Sequence, residues 1–333
     1  MTTIAVLGTG RIGKMHAELI DRQVPGLDLE AVYDIHTESA EAVASELGCH
    51  RADSVEEVLS SDIEAVAIAT STDTHVDLVI AAAEAGKAIF LEKPVSLDLA
   101  EIDRAVEVID TTGVPIHIGF NRRYDAAHAA VQQAAASGSL GELHMLKITS
   151  RDPAPPPIEY VKVSGGMFVD MTIHDFDMAR FVTGSEITEV FTKAAVLVDP
   201  AIGEVGDVDT AIIVLTHENG CITTIDNSRQ AVYGYDQRVE AFGSEGMAVS
   251  ENPRSHTTEI HTAEGTRLET VPYFFIERYI PSYLAGWMAF RDGLESGSMP
   301  INIRDGRAPL VAGIAALTSH AEGRPVKTTE VDQ

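Results

Sequence analysis

The chain has 333 residues, enough for two domains, and its 45% apolar and 23% charged content marks a folded globular protein rather than a disordered one. Its 24 basic and 51 acidic residues leave a net charge of −27, and so acidic a surface repels phosphate backbones and anionic membrane faces. No nucleic acid and no membrane is therefore expected as a partner; the carboxylates are spread along the chain and read as solubility, with a docking surface for a basic partner as the alternative.

The first segment, from Met1, has no basic leader and reads as a strand over 4–7, not as a signal peptide. Helices over 12–22, 39–47, 74–85 and 99–110 then alternate with strands over 29–33, 65–69, 88–91 and 115–118. Short apolar strands separated by helices predict an α/β domain: a doubly wound parallel sheet of the Rossmann type, with helices on both faces. The pattern changes after Gly119. A helix over 124–136, a strand over 143–149, a proline-rich run over 152–157 and a helix over 176–181 lead into six apparent strands, at 189–198, 209–216, 221–226, 237–242, 247–250 and 258–261. Tight turns between them predict a large, mostly antiparallel open sheet covered by helices on one face. Two helices, over 277–295 and 305–321, end the chain. The boundary falls near Asn121, giving an α/β domain over 1–121 and an α+β domain over 122–333. Apolar strand positions Ile212, Val214, Ile222 and Ile225 predict that a second subunit covers the open face. Cys49 and Cys221 lie far apart, form no disulfide framework and fit a reducing cytoplasm. No apolar run is long enough to cross a bilayer.

Gly8, Gly10 and Gly13 form G-x-G-x-x-G between a predicted strand and a predicted helix, the context in which this motif binds a dinucleotide. The first glycine permits a tight turn, the second lets the backbone approach a pyrophosphate, and the third lets helix and strand pack closely. The backbone N–H groups of Arg11, Ile12 and Gly13, at the helix start, face the negative charge. Asp34 stands 21 residues beyond Gly13 at the end of the next strand. A carboxylate there accepts hydrogen bonds from the adenosine ribose and repels a 2′-phosphate, which favours NAD over NADP. A glycine turn with a helix-capping aspartate and no ligand is the alternative.

The strand over 88–91 is followed by Glu92-Lys93-Pro94. Ligands of an open parallel sheet bind at the carboxyl ends of its strands, so Lys93 belongs to the cofactor crevice. It can take a hydroxyl proton as hydride leaves, provided desolvation and a neighbouring cation keep it partly neutral. An ordinary surface lysine before a helix is the alternative. Asp170 and His174 are four apart and, on one helix, share a face with Asp177. A carboxylate and an imidazole over one point can relay a proton and orient a hydroxyl. The alternatives are a helix cap at Asp170 and a satisfied core histidine at His174. A metal site built from these three is set aside, because no second histidine or cysteine stands at ligand spacing.

Gly8-x-Gly10-x-x-Gly13, Glu92-Lys93-Pro94 and Gly165-Gly166-Met167-Phe168-Val169-Asp170-Met171-Thr172-Ile173-His174-Asp175 together resemble the glucose–fructose oxidoreductase and inositol dehydrogenase family, over essentially the whole chain. The resemblance implies an NAD-dependent oxidoreductase with Lys93, Asp170 and His174 as its catalytic residues, and a homotetramer built through the open sheet. Segments 119–125, 150–157 and 233–236 are similar to those of the family's inositol dehydrogenases. They imply oxidation of myo-inositol to scyllo-inosose, with another inositol isomer or an aldose as alternative substrates. A non-catalytic NAD-binding sensor is the rival class, and the joint presence of Lys93, Asp170 and His174 argues against it. The family's Pro-Asn-x-x-His is Ser71-Thr72-Asp73-Thr74-His75 here; Thr70, Ser71, His75, Glu92 and Lys93 are expected on the nicotinamide side of the cofactor. A polyol pocket needs many donors and acceptors, since an unpaired buried polar group costs about 1–3 kcal/mol. Asn121, Arg123, Asp152, Asp177, Tyr233 and Tyr235 therefore join Lys93, Asp170 and His174 as substrate-binding candidates, with a salt bridge to Asp125 or to the sheet as the alternative for Arg122-Arg123.

Overall fold

The computed structural model describes residues 1–332, which gather into two compact units: Met1–Asn121 with Ser282–Ala308, and Arg122–Pro281 with the stretch from Pro309 onward. The first runs β1 (Thr2–Leu7), α1 (Arg11–Gln23), β2 (Leu27–Tyr33), α2 (Thr37–Leu47), β3 (His50–Arg51), α3 (Val55–Ser60), β4 (Ala65–Ile68), α4 (His75–Glu84), β5 (Ala88–Leu91), α5 (Leu99–Thr112) and β6 (Ile116–Ile118). The six strands pair in parallel in the order β3-β2-β1-β4-β5-β6. Every residue of β4 and β5 is buried, as continuous apolar runs covered on both faces must be. Helix boundaries follow local chemistry: Ser54 accepts from the Glu57 N–H and Asp98 from the Ala100 N–H, while Gly48 and Gly113 close α2 and α5 in the left-handed conformation. The sequence carries no signal for β3, which is only two residues long. Strand order reverses between β1 and β4, so the ligand crevice of this sheet opens there, at the strands' carboxyl ends.

The sequence assigns everything past 121 to the second domain, but the structure returns Ser282–Ala308 to the first unit. The reason is aromatic burial. Trp287, the only tryptophan, is fully buried. It stacks on Phe90 with ring centroids 4.1 Å apart, and Phe290 meets Phe90 edge-on at 5.9 Å.

The second unit contains α6 (Ala126–Ala136), β7 (Leu143–Arg151), α7 (Ile158–Val161), α8 (Gly166–Asp170), α9 (Ile173–Thr183), β8 (Ile187–Ala195), α10 (Pro200–Glu204), β9 (Thr210–His217), β10 (Ile222–Ser228), β11 (Asp236–Gly243), β12 (Met247–Ser250), β13 (Glu259–Thr262) and β14 (Gly265–Leu268). The chain ends with α11 (Phe275–Ser296), α12 (Ile303–Glu322) and β15 (Val326–Lys327); Pro281 and Pro309, inside α11 and α12, are where these two helices pass from one unit to the other. Seven strands form one sheet in the order β12-β11-β7-β10-β9-β8-β15. All its pairs are antiparallel except β7 with β10. The strand expected at 258–261 is not part of this sheet: β13 pairs with β14 in a separate hairpin.

One face of the large sheet is core. Phe168, Phe176, Met178 and Val182 pack with Leu146, Ile148, Ile213, Leu215, Ile225 and Val239. The other face carries a registered row, Met247–Phe242–Met145–Ile222, whose members are 39–55% exposed. Ile212 and Phe191 are exposed too. Of the four apolar positions expected on the open face, Ile212 and Ile222 lie there exposed, and Val214, two residues on from Ile212, shares that face half-buried. Ile225 is fully buried, because an odd separation from Ile222 turns it to the opposite face. Among the described residues no helix is long and apolar enough to cross a membrane.

Candidate active site

In the first unit the expected cofactor residues stand along one edge of the sheet. Gly8 follows β1, Asp34 follows β2, Thr70 and Ser71 follow β4, and Glu92 and Lys93 follow β5. Gly8 has φ +92°, and a Cβ there would run into the Ala69 carbonyl. A Cβ on Gly13 would overlap the Gly8 carbonyl oxygen. At Gly10 a Cβ would meet nothing within 4 Å, so open space lies in front of the α1 N-terminus, which no side chain caps. Room for a ligand beside uncapped backbone N–H groups fits a pyrophosphate.

Asp34 binds the loop itself. Its Oδ2 accepts from the Thr9 N–H at 2.6 Å and the Thr9 hydroxyl at 3.1 Å, and its Oδ1 accepts from the His36 N–H at 2.8 Å. Burial works against ionisation here, but these donors outweigh it and hold the carboxyl below its usual range. An ionised Asp34 fits a ribose diol and not a 2′-phosphate.

His75 is buried. Its Nδ1 lies 2.8 Å from the Pro94 carbonyl and its Nε2 lies 3.2 Å from the Thr70 carbonyl, while burial pushes its pKa below the ordinary value. The ring thus braces the two loops that carry Thr70 and Lys93, a positioning role. Glu92 has a comparable support. Trp287 donates its indole N–H to His16 Nδ1 at 2.9 Å, and His16 Nε2 lies 2.8 Å from Glu92 Oε1. An indole can only donate, so Nδ1 accepts and the ring proton sits on Nε2, directed at the carboxylate. Asn121 is buried after β6, its amide 3.4 Å from the Ser282 hydroxyl.

In the second unit Asp170 and His174 do not share one helix. Asp170 ends α8 and His174 lies in α9, with a break at Met171–Thr172. Two links hold the break. Thr172 Oγ1 donates to Asn227 Oδ1 at 2.7 Å, and Asp175 receives Arg122 Nη1, Ser150 Oγ and Asn227 Nδ2 at 2.5–2.8 Å. Gly165, not Asp170, occupies the N-cap of α8, so a capping role for Asp170 falls away. Asp170 instead accepts from the Tyr160 hydroxyl at 2.8 Å and from Arg229 Nη1 and Nη2 at 3.1 Å each. Asp152 lies 3.4 Å from Arg229 Nη1. Burial pushes the Asp152 carboxyl up to about 6, with Asp170's charge adding to it and Arg229 opposing.

Asp177 is buried, and its carboxylate takes three hydrogen bonds of 2.5–3.1 Å from Arg123. Arg123 therefore pairs with Asp177, not with Asp125, which instead receives Arg278 at 2.6 Å. This ion pair ties Arg123, just before α6, to α9. Tyr235 is buried and accepts from Arg122 Nη2 at 3.3 Å; Tyr233 is half-exposed and donates to Asp236 at 2.6 Å. Arg229, Tyr160, Asn227, His16 and Trp287 are absent from the sequence-derived set. The one hint for Arg229 is a lone arginine within 221–235 of a strongly acidic chain. Among the described residues no group of His, Cys, Asp and Glu is arranged to hold a metal ion.

Comparison with known proteins identifies the family. Residues 2–120 match the oxidoreductase family with NAD-binding Rossmann fold (GFO_IDH_MocA), and residues 128–249 match the GFO/IDH/MocA C-terminal domain. The chain is 45% identical over 331 residues to myo-inositol 2-dehydrogenase of Thermotoga maritima, covering 98% of this chain and 99% of that one. Its fold matches the crystal structure of a probable dehydrogenase from Thermotoga maritima with a TM-score of 0.96 at 45% identity, covering 99% of each chain. It also matches scyllo-inositol dehydrogenase from Lactobacillus casei, solved with NAD(H) and scyllo-inositol, with a TM-score of 0.92 at 26% identity and 99% coverage of each chain. With an NAD-binding first unit and this match along its length, the chain belongs to the GFO/IDH/MocA family and is an NAD-dependent oxidoreductase acting on CH–OH groups.

Proposed function

We propose that the protein oxidises a ring polyol, myo-inositol at its 2-hydroxyl, to the ketone scyllo-inosose. The observation that carries this reading is the polar cluster of Asp152, Tyr160, Asp170 and Arg229, in a chain 45% identical to a myo-inositol 2-dehydrogenase. A ring with a hydroxyl on nearly every carbon needs such a concentration of donors and acceptors. NAD, when bound, accepts the hydride that leaves the carbon. Gly8, Gly10, Arg11, Ile12 and Gly13 hold its pyrophosphate, Asp34 its adenosine ribose, and Thr70, Ser71, Glu92 and Lys93 its nicotinamide side, with His75 bracing two of these loops. Lys93 receives the hydroxyl proton, His174 relays it and Asp170 orients the hydroxyl. Asn121, Asp152, Tyr233 and Tyr235 serve recognition, and the Arg123–Asp177 pair stiffens the segment around His174. The likeness to a scyllo-inositol dehydrogenase favours that isomer as the second reading.

A panel of cyclitols and aldoses, followed by NADH absorbance, tests the proposal. Turnover should be fastest on myo-inositol. Lys93→Ala should lower kcat by roughly 10²–10⁴-fold, with a far smaller effect on NAD affinity. No turnover on any member of the panel, with NAD binding intact, would favour a non-catalytic sensor. The exposed row Met247–Phe242–Met145–Ile222 supports a homotetramer assembled through the open sheet. Two free cysteines, Cys49 and Cys221, support a cytoplasmic setting.

A further inference from the structure

Arg229 immediately follows β10 and is 3% exposed. Its backbone N–H donates to the Asp209 carbonyl at 2.8 Å, which ties the residue to the start of β9. Both terminal nitrogens donate to one oxygen of Asp170, and Nη1 also reaches Asp152. The two acids come from separate elements: Asp152 follows β7 and Asp170 ends α8. The other oxygen of Asp170 is fixed by the Tyr160 hydroxyl. Arg229 Nε, by contrast, is buried and finds no acceptor in the protein. The orientation of the guanidinium follows the two carboxylates.

We propose that Arg229 is a positioning residue for polyol recognition, gripping Asp170 and Asp152 so that carboxyl groups from two separate elements present a fixed pair of oxygens to neighbouring hydroxyls. This rests on the reading of Asp170 as a substrate-facing group. Burial and the neighbouring charge of Asp170 push Asp152 up to about 6, so the pair can offer both a donor and an acceptor as the pH approaches that value. A hydroxyl needs one of each. A lysine at 229 would keep the charge but supply a single point, unable to span both acids as a planar fork does.

The test uses the full-length enzyme saturated with NAD, and myo-inositol as the probe. Arg229→Lys and Arg229→Met should raise the KM for myo-inositol by roughly tenfold or more, lower kcat by less than about threefold, and leave the Kd for NAD unchanged. In an Asp170→Asn background, Arg229→Met should add less than about twofold, because coupled residues are not additive. If Arg229→Met does not fold, Arg229→Lys alone carries the comparison. The proposal is overturned if the Arg229 variants keep KM within twofold while Asp170→Asn is impaired. It is equally overturned if their effect is confined to kcat, or if KM rises equally for NAD. If Asp170→Asn is also silent, the reading of Asp170 itself fails, a different result from the failure of Arg229 alone.

Discussion

Asp34→Ala tests the proposal that Asp34 holds the adenosine ribose. A carboxylate offers about four acceptor positions. Thr9 N–H, the Thr9 hydroxyl and His36 N–H use three of them. One remains for a ribose hydroxyl, and a second opens where the Thr9 hydroxyl turns fully to Ser39 Oγ, 2.8 Å away. Losing one hydrogen bond to a charged acceptor costs about 1.5–3 kcal/mol, which is roughly a 10- to 150-fold rise in the Kd for NAD. NADP gains nothing from Asp34, so the preference for NAD should narrow by at least the same factor. Calorimetric titration with both dinucleotides measures this directly, and kcat/KM ratios at saturating polyol provide the check. Thr9 is 3% exposed, so its orphaned N–H should separately lower stability by about 1–3 kcal/mol, visible as a lower Tm. An NAD Kd within twofold of the parent, with an unchanged NAD-to-NADP ratio, would refute the assignment whatever the Tm.

Asp152→Asn should stabilise the protein at pH 8 and not below pH 4. Burial raises this carboxyl from 3.8 to about 6, so the folded state forfeits up to about 3 kcal/mol as pH climbs through that window and stays penalised above it; equal Tm gains at both pH values would contradict the shift. Gly119→Ala would place a Cβ 2.9 Å from Glu92 Oε1, pushing that carboxylate off His16. The unfolding free energy should fall by the worth of a charge-assisted bond, about 1.5–3 kcal/mol, visible as a lower Tm, and the emission of Trp287 should shift; unchanged emission and Tm would show that Glu92 absorbs the methyl elsewhere. Met145→Glu with Ile222→Glu puts two registered carboxylates in the exposed row. The mass by light scattering should drop while NAD binding persists, and an unaltered mass would remove this face from the assembly.

Much of the first unit is legible locally. Strands such as Ala65–Ile68 are continuous apolar runs, and the glycines of the loop declare their turn by spacing. The break between Asp170 and His174 is less visible, because the four-residue spacing reads equally well as one helix. At the break the Thr172 hydroxyl bonds Asn227, 55 positions away. The Arg123–Asp177 pairing is hidden for a related reason: nothing local says that each is the other's partner across 54 positions.

The sequence by itself determined the parallel sheet, the glycine loop after β1, the aspartate that ends the next strand and the strand-rich second half, because each is written within a few residues as a period, a spacing or a turn. Tertiary structure alone decided that Trp287 returns to the first unit to support His16 and Glu92, and that Arg229 joins Asp152 to Asp170. Those contacts span 271 positions for Trp287 and His16, and 59 and 77 for Arg229 with its two acids. No local propensity encodes a partner at that distance; only packing the chain into its units brings such groups within hydrogen-bond reach.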